Sequence, residues 1–153
     1  MREAIANAGV FNLVIVFVII LLAFFIGSLG YSKAFKVKNK IVDEIEKDHG
    51  YLPTTQDSIE KWLGTIGYRL KSTIGAGNCG TETFNGKTGE LVSSGSNYQY
   101  CVYKFNSCGN TNVKKCSTHY RVVSYMYFDV PVINSLIKIP VKGETVSFSE
   151  INS

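Results

Sequence analysis

The run from Val10 to Leu29 constrains this chain more than any other feature of it. The run contains no charged side chain, and Asn12 is its only strongly polar residue. A helix rises about 1.5 Å per residue, so about 20 apolar residues cross the roughly 30 Å hydrocarbon core of a bilayer. Backbone groups find no water there, so a single crossing segment must be helical. We predict a transmembrane helix over residues 10–30, with a short non-translocated end at residues 1–9.

Two other interpretations of this run are weaker. A buried helix of a soluble protein would have to be covered on all sides, and the rest of the chain is too short for that. A cleaved secretory signal normally has an apolar core of about 7–15 residues that ends at a small-x-small site. The run is longer, and the sequence that follows it, GSLGYSKAFKVKNK, offers no convincing cleavage site.

Residues 31–50 predict an amphipathic helical extension of the transmembrane helix, and Gly50 is a plausible stop signal. Four apolar residues fall at i, i+3, i+7 and i+11, which is one stripe at helical spacing. This candidate interaction stripe needs a partner, and the sequence leaves two open: the protein's own domain or a neighbouring copy. The stripe consists of Ala34, Val37, Ile41 and Ile45.

Residues 51–153 predict a small extracytoplasmic α+β domain. Thr54 can cap a second, short helix, with Asp57 in an arrangement that resembles a capping box. The apolar positions of this helix also form a stripe, and we expect Trp62 to pack in the core rather than to anchor a partner. The members of the stripe are Ile59, Trp62, Leu63, Ile66 and Leu70.

The rest of the domain alternates turn signals with strand patterns. Asn85–Gly86 predicts a tight hairpin, since both residues adopt positive φ readily. Pro131 and Pro140 favour edge strands or strand ends. The fold class is therefore α+β: a long membrane-spanning helix continues into a domain with one short helix on an antiparallel sheet. The predicted strands are 97–105, 119–128 and 136–148, with Gly143 as a kink or turn in the last.

All four cysteines lie in the second half of the chain, which favours two stabilising disulfides and an oxidising compartment. A zinc site is a weaker alternative, because no C-x-x-C pair is present, and free structural thiols are a further one. Three pairings are possible. A Cys108–Cys116 bridge within a hairpin is the most natural, and it leaves Cys79 to pair with Cys101.

Two sequence features disagree about which side of the membrane the domain occupies. Basic residues directly after the span favour a cytoplasmic domain by the positive-inside rule. That rule weakens for long translocated domains, and the cysteines favour the opposite side. We expect a single-pass protein of the cell membrane with its C-terminal domain outside. The basic residues are Lys33, Lys36, Lys38 and Lys40.

Little in the sequence points to catalysis or to a ligand. The chain has two histidines, His49 and His119, and neither an HExxH nor a GxSxG motif. The net charge of +4 is spread out, unlike a nucleic-acid footprint. We therefore expect no enzymatic activity, no cofactor, no bound metal, no small-molecule substrate and no nucleic-acid partner. The partner that the residues themselves predict is the lipid bilayer.

The organisation of the two ends resembles type IV pilin-like proteins, and in particular the small TadE-like subunits of tight-adherence systems and their relatives in Gram-positive bacteria. The resemblance rests on residues 4–50 and on the closing segment FDVPVINSLIKIPVKGET. It implies other pilin-like subunits or assembly proteins as partners. One departure is clear: Gly9 could be the processing glycine, but the fifth residue after it is Val14 where such prepilins carry Glu. This departure favours a minor or accessory pseudopilin, or a static membrane protein, over a major pilin.

Two hypotheses follow, with a third that is weaker. The first is a non-enzymatic pilin-like or accessory component of a pilus- or secretion-type surface assembly. The second is a membrane-tethered binding module that does not polymerise. The third, a surface hydrolase, would require a convergent Ser, His and acid pocket.

Overall fold

The computed structural model describes residues 2–74, 79–108, 115–130 and 135–151. It has the predicted α+β fold: a long N-terminal helix, a short second helix and an antiparallel sheet. The helices are α1 (Arg2–Lys47), α2 (Pro53–Thr65) and the single turn α3 (Lys71–Ile74). The strands are β1 (Thr83–Phe84), β2 (Lys87–Thr88), β3 (Glu90–Ser93), β4 (Tyr100–Cys108), β5 (Lys115–Val130), β6 (Ser135–Glu144) and β7 (Phe148–Ile151).

Helix α1 is continuous over 46 residues, a length of about 70 Å at 1.5 Å per residue. Its two halves have different surroundings. Residues 9–26 are all exposed, whereas the stripe predicted in the outer half is buried. The helix ends in a Schellman motif, in which the Gly50 N–H donates to the Ile45 carbonyl (3.0 Å). His49, rather than Gly50, is the residue with positive φ (53°).

The predicted Thr54 cap of the second helix is wrong. Helix α2 begins at Pro53, whose missing N–H is no loss at a first helical position. Thr55, one residue further on, makes the capping contacts, because its side chain is fully buried and accepts from the Leu52 N–H (3.3 Å). The same hydroxyl donates to the Asp48 carboxylate just after α1. Thr55 therefore fixes the corner between the two helices.

Replacing Thr55 by valine should lower the free energy of unfolding by about 1–3 kcal/mol, because the Leu52 N–H and the Asp48 carboxylate would lose their partner. Denaturant titration followed by the fluorescence of Trp62, the only tryptophan, measures the change. Thr54→Val is the matched control, since Thr54 is exposed. Equal effects of the two substitutions would show that Thr55 does not hold the corner.

Five strands form one antiparallel sheet in the order β3-β4-β5-β6, with β7 also paired to β5. Strand β5 is longer than predicted and is the centre of this sheet. It pairs with β4 from Tyr100↔Ser124 to Cys108↔Cys116, and with β6 from Arg121↔Glu144 to Val130↔Ser135. Its start pairs with β7 along the edge that β6 leaves open. Pro140 lies in β6, an edge strand as predicted, whereas Pro131 lies outside the described residues.

The last predicted strand, 136–148, is interrupted, but not at Gly143. Strand β6 continues through Gly143, and the break is at residues 145–147. The Lys38 side chain packs over Gly143, so a larger residue at this position would have to displace the outer atoms of that lysine. At the break, the Thr145 N–H donates to the Tyr120 carbonyl (2.9 Å) and keeps the chain on β5.

The predicted turn at Asn85–Gly86 is confirmed. Both residues have positive φ, 48° and 75°, and they join β1 to β2 as a two-residue hairpin. This hairpin lies on the sheet face opposite to α1. Side chains along β4 point alternately to the two faces of the sheet. Tyr100 and Val102 belong to the core with α1 and α2. On the other face, a second cluster consists of Cys101, Tyr103 and Phe105 with Cys79 and Phe84.

A disulfide joins Cys79 to Cys101, with a Cα–Cα distance of 5.8 Å. It ties the segment before the β1–β2 hairpin to the middle of β4, where Cys101 is fully buried. Cys116 is also disulfide-bonded, and the β4–β5 register places it directly opposite Cys108. The side chain of Cys108 lies outside those described, so the second predicted bridge stays a prediction.

Candidate membrane-facing surface

The inner half of α1 has the surface of a membrane anchor. The helix is long and apolar enough to cross a bilayer, and none of its most apolar stretch is buried in the protein. Phe24, for example, is 81% exposed. Exposed apolar surfaces of this extent are rare on soluble monomers. Within the described residues, the protein therefore has one helix compatible with single-pass anchoring.

The stripe predicted in the outer half packs in the protein's own domain. Val37, Ile41 and Ile45 are 0% exposed and contact α2 and the helix-facing side of the sheet. Ala34 belongs to a smaller cluster with Met126 and Val141. Of the two partners that the sequence left open, the structure supplies the first, and this face of α1 is not accessible to a neighbouring copy.

A buried hydroxyl reinforces this packing. Ser124 is fully buried and donates to the Ala34 carbonyl of α1 (3.0 Å). Close to it, Met126 packs against Gly30, where an added Cβ would lie only 3.3 Å from Met126 Cγ, so α1 and β5 touch where α1 leaves the apolar run. The domain is thus fixed directly above the end of that run, without an intervening linker.

Two clefts open on the side of the domain that faces the apolar run, and we call this side the underside. The first cleft lies between α1, the loop after α2 and the end of β5, and is lined by Gly30, Lys33, Ala34, Tyr68, Arg69, Tyr125, Met126 and Tyr127. The second lies between α1 and α2, has a volume of about 300 Å³, and is lined by Leu29, Ser32, Lys33, Lys36, Trp62 and Ile66.

The underside carries aromatic and basic side chains immediately after the last apolar residues of the anchor. Trp62, only partly buried, lines the second cleft opposite Leu29. Tyr31, on α1, is 54% exposed. Tryptophan and tyrosine favour the membrane–water interface because each combines an apolar ring with a polar group. The underside therefore carries residue types that are typical of a membrane–water interface. Trp62 contributes both to the core, as predicted, and to this surface.

Tyr68 holds the first cleft in shape, and sequence reasoning missed it. Strand β4 begins at Tyr100, which pairs with Ser124 of β5. The next residue of β5, Tyr125, therefore has no partner in β4. The Tyr68 hydroxyl takes this place: it accepts from the Tyr125 N–H (3.0 Å) and donates to the Tyr125 carbonyl (2.8 Å). No local pattern in the sequence signals such a contact between residues 57 positions apart.

Six of the nine tyrosines have raised pKa values, chiefly because burial disfavours the phenolate. Burial raises the pKa of Tyr68 and that of Tyr103 to about 12. It also raises the pKa values of Tyr51, Tyr100, Tyr125 and Tyr127. In the unfolded chain these groups ionise near pH 10. Their contribution to stability is therefore complete below that pH and is lost as the pH rises through 10 towards 12.

The domain should accordingly unfold in alkali, with tyrosine ionisation and unfolding in a single transition. Absorbance at 295 nm reports phenolate formation, and the emission of Trp62 reports unfolding. We expect the ionisation of the six buried or partly buried tyrosines to coincide with the loss of native Trp62 emission above about pH 10. Gradual ionisation of all nine tyrosines with native emission retained would contradict the burial described here.

The face of the sheet opposite to α1 carries a cluster of charged side chains that stabilises the fold. The Arg121 guanidinium contacts Glu144, Glu82 (3.4 Å) and the Thr83 carbonyl (3.1 Å), and Lys142 contacts Glu82 (2.7 Å). Arg121 also lies over the Phe84 ring at 4.6 Å. Two cations and two carboxylates are mutually compensated, so this cluster fixes the β1–β2 hairpin on the sheet.

The two histidines lie in different parts of the fold. His49 lies in the turn after α1, and the His119 ring on β5 stacks on the Phe105 ring, with their centroids 5.2 Å apart. Within residues 2–74, 79–108, 115–130 and 135–151, no three His, Cys, Asp or Glu side chains could hold a metal ion together.

Comparison of the chain with protein-family models, with curated proteins and with solved structures finds no match in any of the three. The resemblance to pilin-like proteins therefore rests on the residues quoted for it.

Proposed function

We propose that this chain is a non-enzymatic, single-pass membrane protein of the bacterial cell surface, acting as a pilin-like or accessory subunit of a pilus- or secretion-type assembly. Its domain would lie outside the cell membrane. The observation that supports the proposal is the division of α1: one uninterrupted helix is a core element of the domain in its outer half and fully exposed in its inner half. A subunit built in this way can pass from the bilayer into an assembly without changing its fold.

The domain covers α1 from one side, and this decides where a second copy could pack. At 100° per residue, the buried stripe defines one face of α1. The opposite face, continued into the apolar run, is free of the domain and carries large exposed side chains. These are Val18, Leu22 and Phe25.

Disulfide crosslinking in the membranes of the native host tests the proposal. Phe25→Cys places a thiol on the face opposite to the domain, and Ile20→Cys is the matched control on the domain side of the same exposed helix. Assembly predicts dimers or adducts to other subunits for Phe25→Cys and far fewer for Ile20→Cys. Absence of adducts from both variants would contradict assembly.

The second candidate function is a membrane-tethered binding module that stays monomeric. The observation that favours it is Val14, which stands where a pilin-like assembly would use the Glu carboxylate to pair with a neighbour's amine. The crosslinking experiment separates the two functions, because a tethered monomer gives no adduct from either position while remaining in the membrane fraction.

A further inference from the structure

Helix α2 runs back along α1 from the far end of the domain to the end of the apolar run. It starts beside the end of α1, where Thr55 bonds to Asp48. Just after its last turn, the Gly67 carbonyl accepts from the Lys33 ammonium (2.8 Å). Lys33 is four residues, about 6 Å, beyond Leu29 on a helix without a break. The end of α2 is therefore held at a short, fixed distance from the last residue of the apolar run.

The second cleft of the underside lies at this level. Leu29 and Lys36 are its first and last lining residues along α1, and Trp62 and Ile66 of α2 form its other side. From Leu29 to Lys36, α1 rises about 10 Å. The headgroup region adds roughly 5–8 Å on each side of the hydrocarbon core. When residues 10–29 cross a bilayer, the cleft is therefore at the depth of the headgroups.

The charges of α2 are confined to the part of the helix that is far from the anchor. Its first nine residues contain all of them, whereas residues 62–68, WLGTIGY, contain none. Within this uncharged stretch, Trp62 and Ile66 are only partly buried in the domain. This end of α2 can thus enter the headgroup region without removing a charge from water. The charged residues of α2 are Asp57, Glu60 and Lys61.

The lining of the second cleft combines the residue types that proteins place among lipid headgroups. The Trp62 ring is apolar, while its indole N–H can donate to a headgroup oxygen. Lys36 is exposed, and none of the described lining residues is acidic. A lysine can lay its apolar stem along such a surface and keep its ammonium in water, where anionic lipids attract it. Through Leu29, the cleft is continuous with the exposed apolar surface of α1.

We propose that the second cleft is a second membrane-contact surface, on which Trp62 and Ile66 of α2 lie among the lipid headgroups beside the anchor. Its occupant is the lipid of the bilayer surface. Contact at two places, the anchor and the end of α2, limits how far the domain can tilt on its single helix. The proposal rests on the membrane anchoring in the proposed function, and not on assembly into a pilus.

The emission of Trp62, the only tryptophan, reports this contact directly. The full-length protein is reconstituted in vesicles of phosphatidylcholine and phosphatidylglycerol that contain a brominated lipid. The bromine lies either next to the headgroup or deep in the acyl chains, and it quenches tryptophan only on contact.

Two control variants carry a single tryptophan elsewhere, each combined with Trp62→Phe. Phe17→Trp places it near the middle of the apolar run, at an exposed position. Lys87→Trp places it in the β1–β2 hairpin, where Lys87 is exposed and contacts Ser107 at the end of β4 that is far from α2.

We expect bromine next to the headgroup to quench Trp62 most, deep bromine to quench Phe17→Trp most, and neither to quench Lys87→Trp. If Phe17→Trp is quenched but Trp62 behaves like Lys87→Trp, the anchor is in place and the proposed contact of α2 is wrong. If Phe17→Trp is not quenched either, the anchoring itself is wrong and the contact fails with it. If Trp62 meets bromine only after the protein is diluted with lipid, a second copy occupies the cleft, and the bilayer is overturned as its occupant.

Discussion

Replacing Ile41 by alanine should lower the free energy of unfolding of the domain by about 2–5 kcal/mol, the range for truncating a buried Ile or Leu. Ile41 is 0% exposed, and it lies between α2 and the sheet in the main cluster with Val37, Ile45 and Val122. The truncation removes methyl groups from all these contacts and leaves a cavity in a close-packed core. For a domain of marginal stability this is a large fraction of the total.

The experiment uses denaturant titration in micelles with Trp62 emission as the probe. Phe35→Ala is the matched control on the same helix, since Phe35 is 43% exposed and its truncation should cost less than about 1 kcal/mol. If Ile41→Ala were as harmless as Phe35→Ala, the outer half of α1 would not be part of the domain core. The stripe would then again be available to a neighbouring copy.

Removing the Cys79–Cys101 disulfide should cost about 3 kcal/mol. The bond closes a loop with a sequence separation of 22, and the chain-entropy model assigns about 3 kcal/mol to a loop of this size. The loop contains the β1–β2 hairpin, whose own pairing is limited to two residue pairs. The hairpin therefore depends on this bond and on the Arg121 cluster for its place on the sheet.

A double-mutant cycle isolates the effect of the bond. Cys79→Ala, Cys101→Ala and the double variant are compared by the same denaturant titration. A crosslink predicts that each single variant loses nearly as much stability as the double variant, because either change opens the loop. Additive losses would show instead that the two side chains contribute by packing alone. Full stability of the double variant would contradict a structural role for the bond.

Features that depend on local patterns in the sequence were predicted well. The apolar run, the stripe at Ala34, Val37, Ile41 and Ile45, and the Asn85–Gly86 turn each have one dominant physical interpretation. The α+β class followed from combining these patterns with the strand-rich second half. In all these cases the deciding interaction is between residues close in the sequence, or between a whole face and the core.

The rest depended on contacts that a sequence does not display. Thr55 rather than Thr54 is the capping residue because the end of α1 supplies Asp48 as a second partner. Tyr68 bonds to the edge of β5 only because the pairing of β4 with β5 does not extend beyond Ser124 of β5. The two clefts of the underside arise where α1 meets β5 and α2, so their lining could be assembled only once the elements were placed.

The lysines after the span illustrate the same limit. The positive-inside rule treats them as charges that determine orientation. In the structure, Lys33 donates to Gly67, Lys38 lies 4.3 Å from the centre of the Phe35 ring, and Lys40 pairs with Glu44. These residues therefore have roles in the domain whichever side it occupies. The extracytoplasmic location stays a prediction, and protease accessibility on intact cells tests it.

The most direct test of the division of α1 is a cysteine scan with N-ethylmaleimide on native membranes. Leu13, Phe17 and Phe24, in the inner half, and Phe35 and Lys47, in the outer half, are all exposed in the protein alone. Single cysteines at the first three positions should resist labelling until the membrane is dissolved, because thiols do not ionise in hydrocarbon. Cysteines at Phe35 and Lys47 should react at once. Equal labelling at all five positions in intact membranes would show that the inner half of α1 is not in the bilayer.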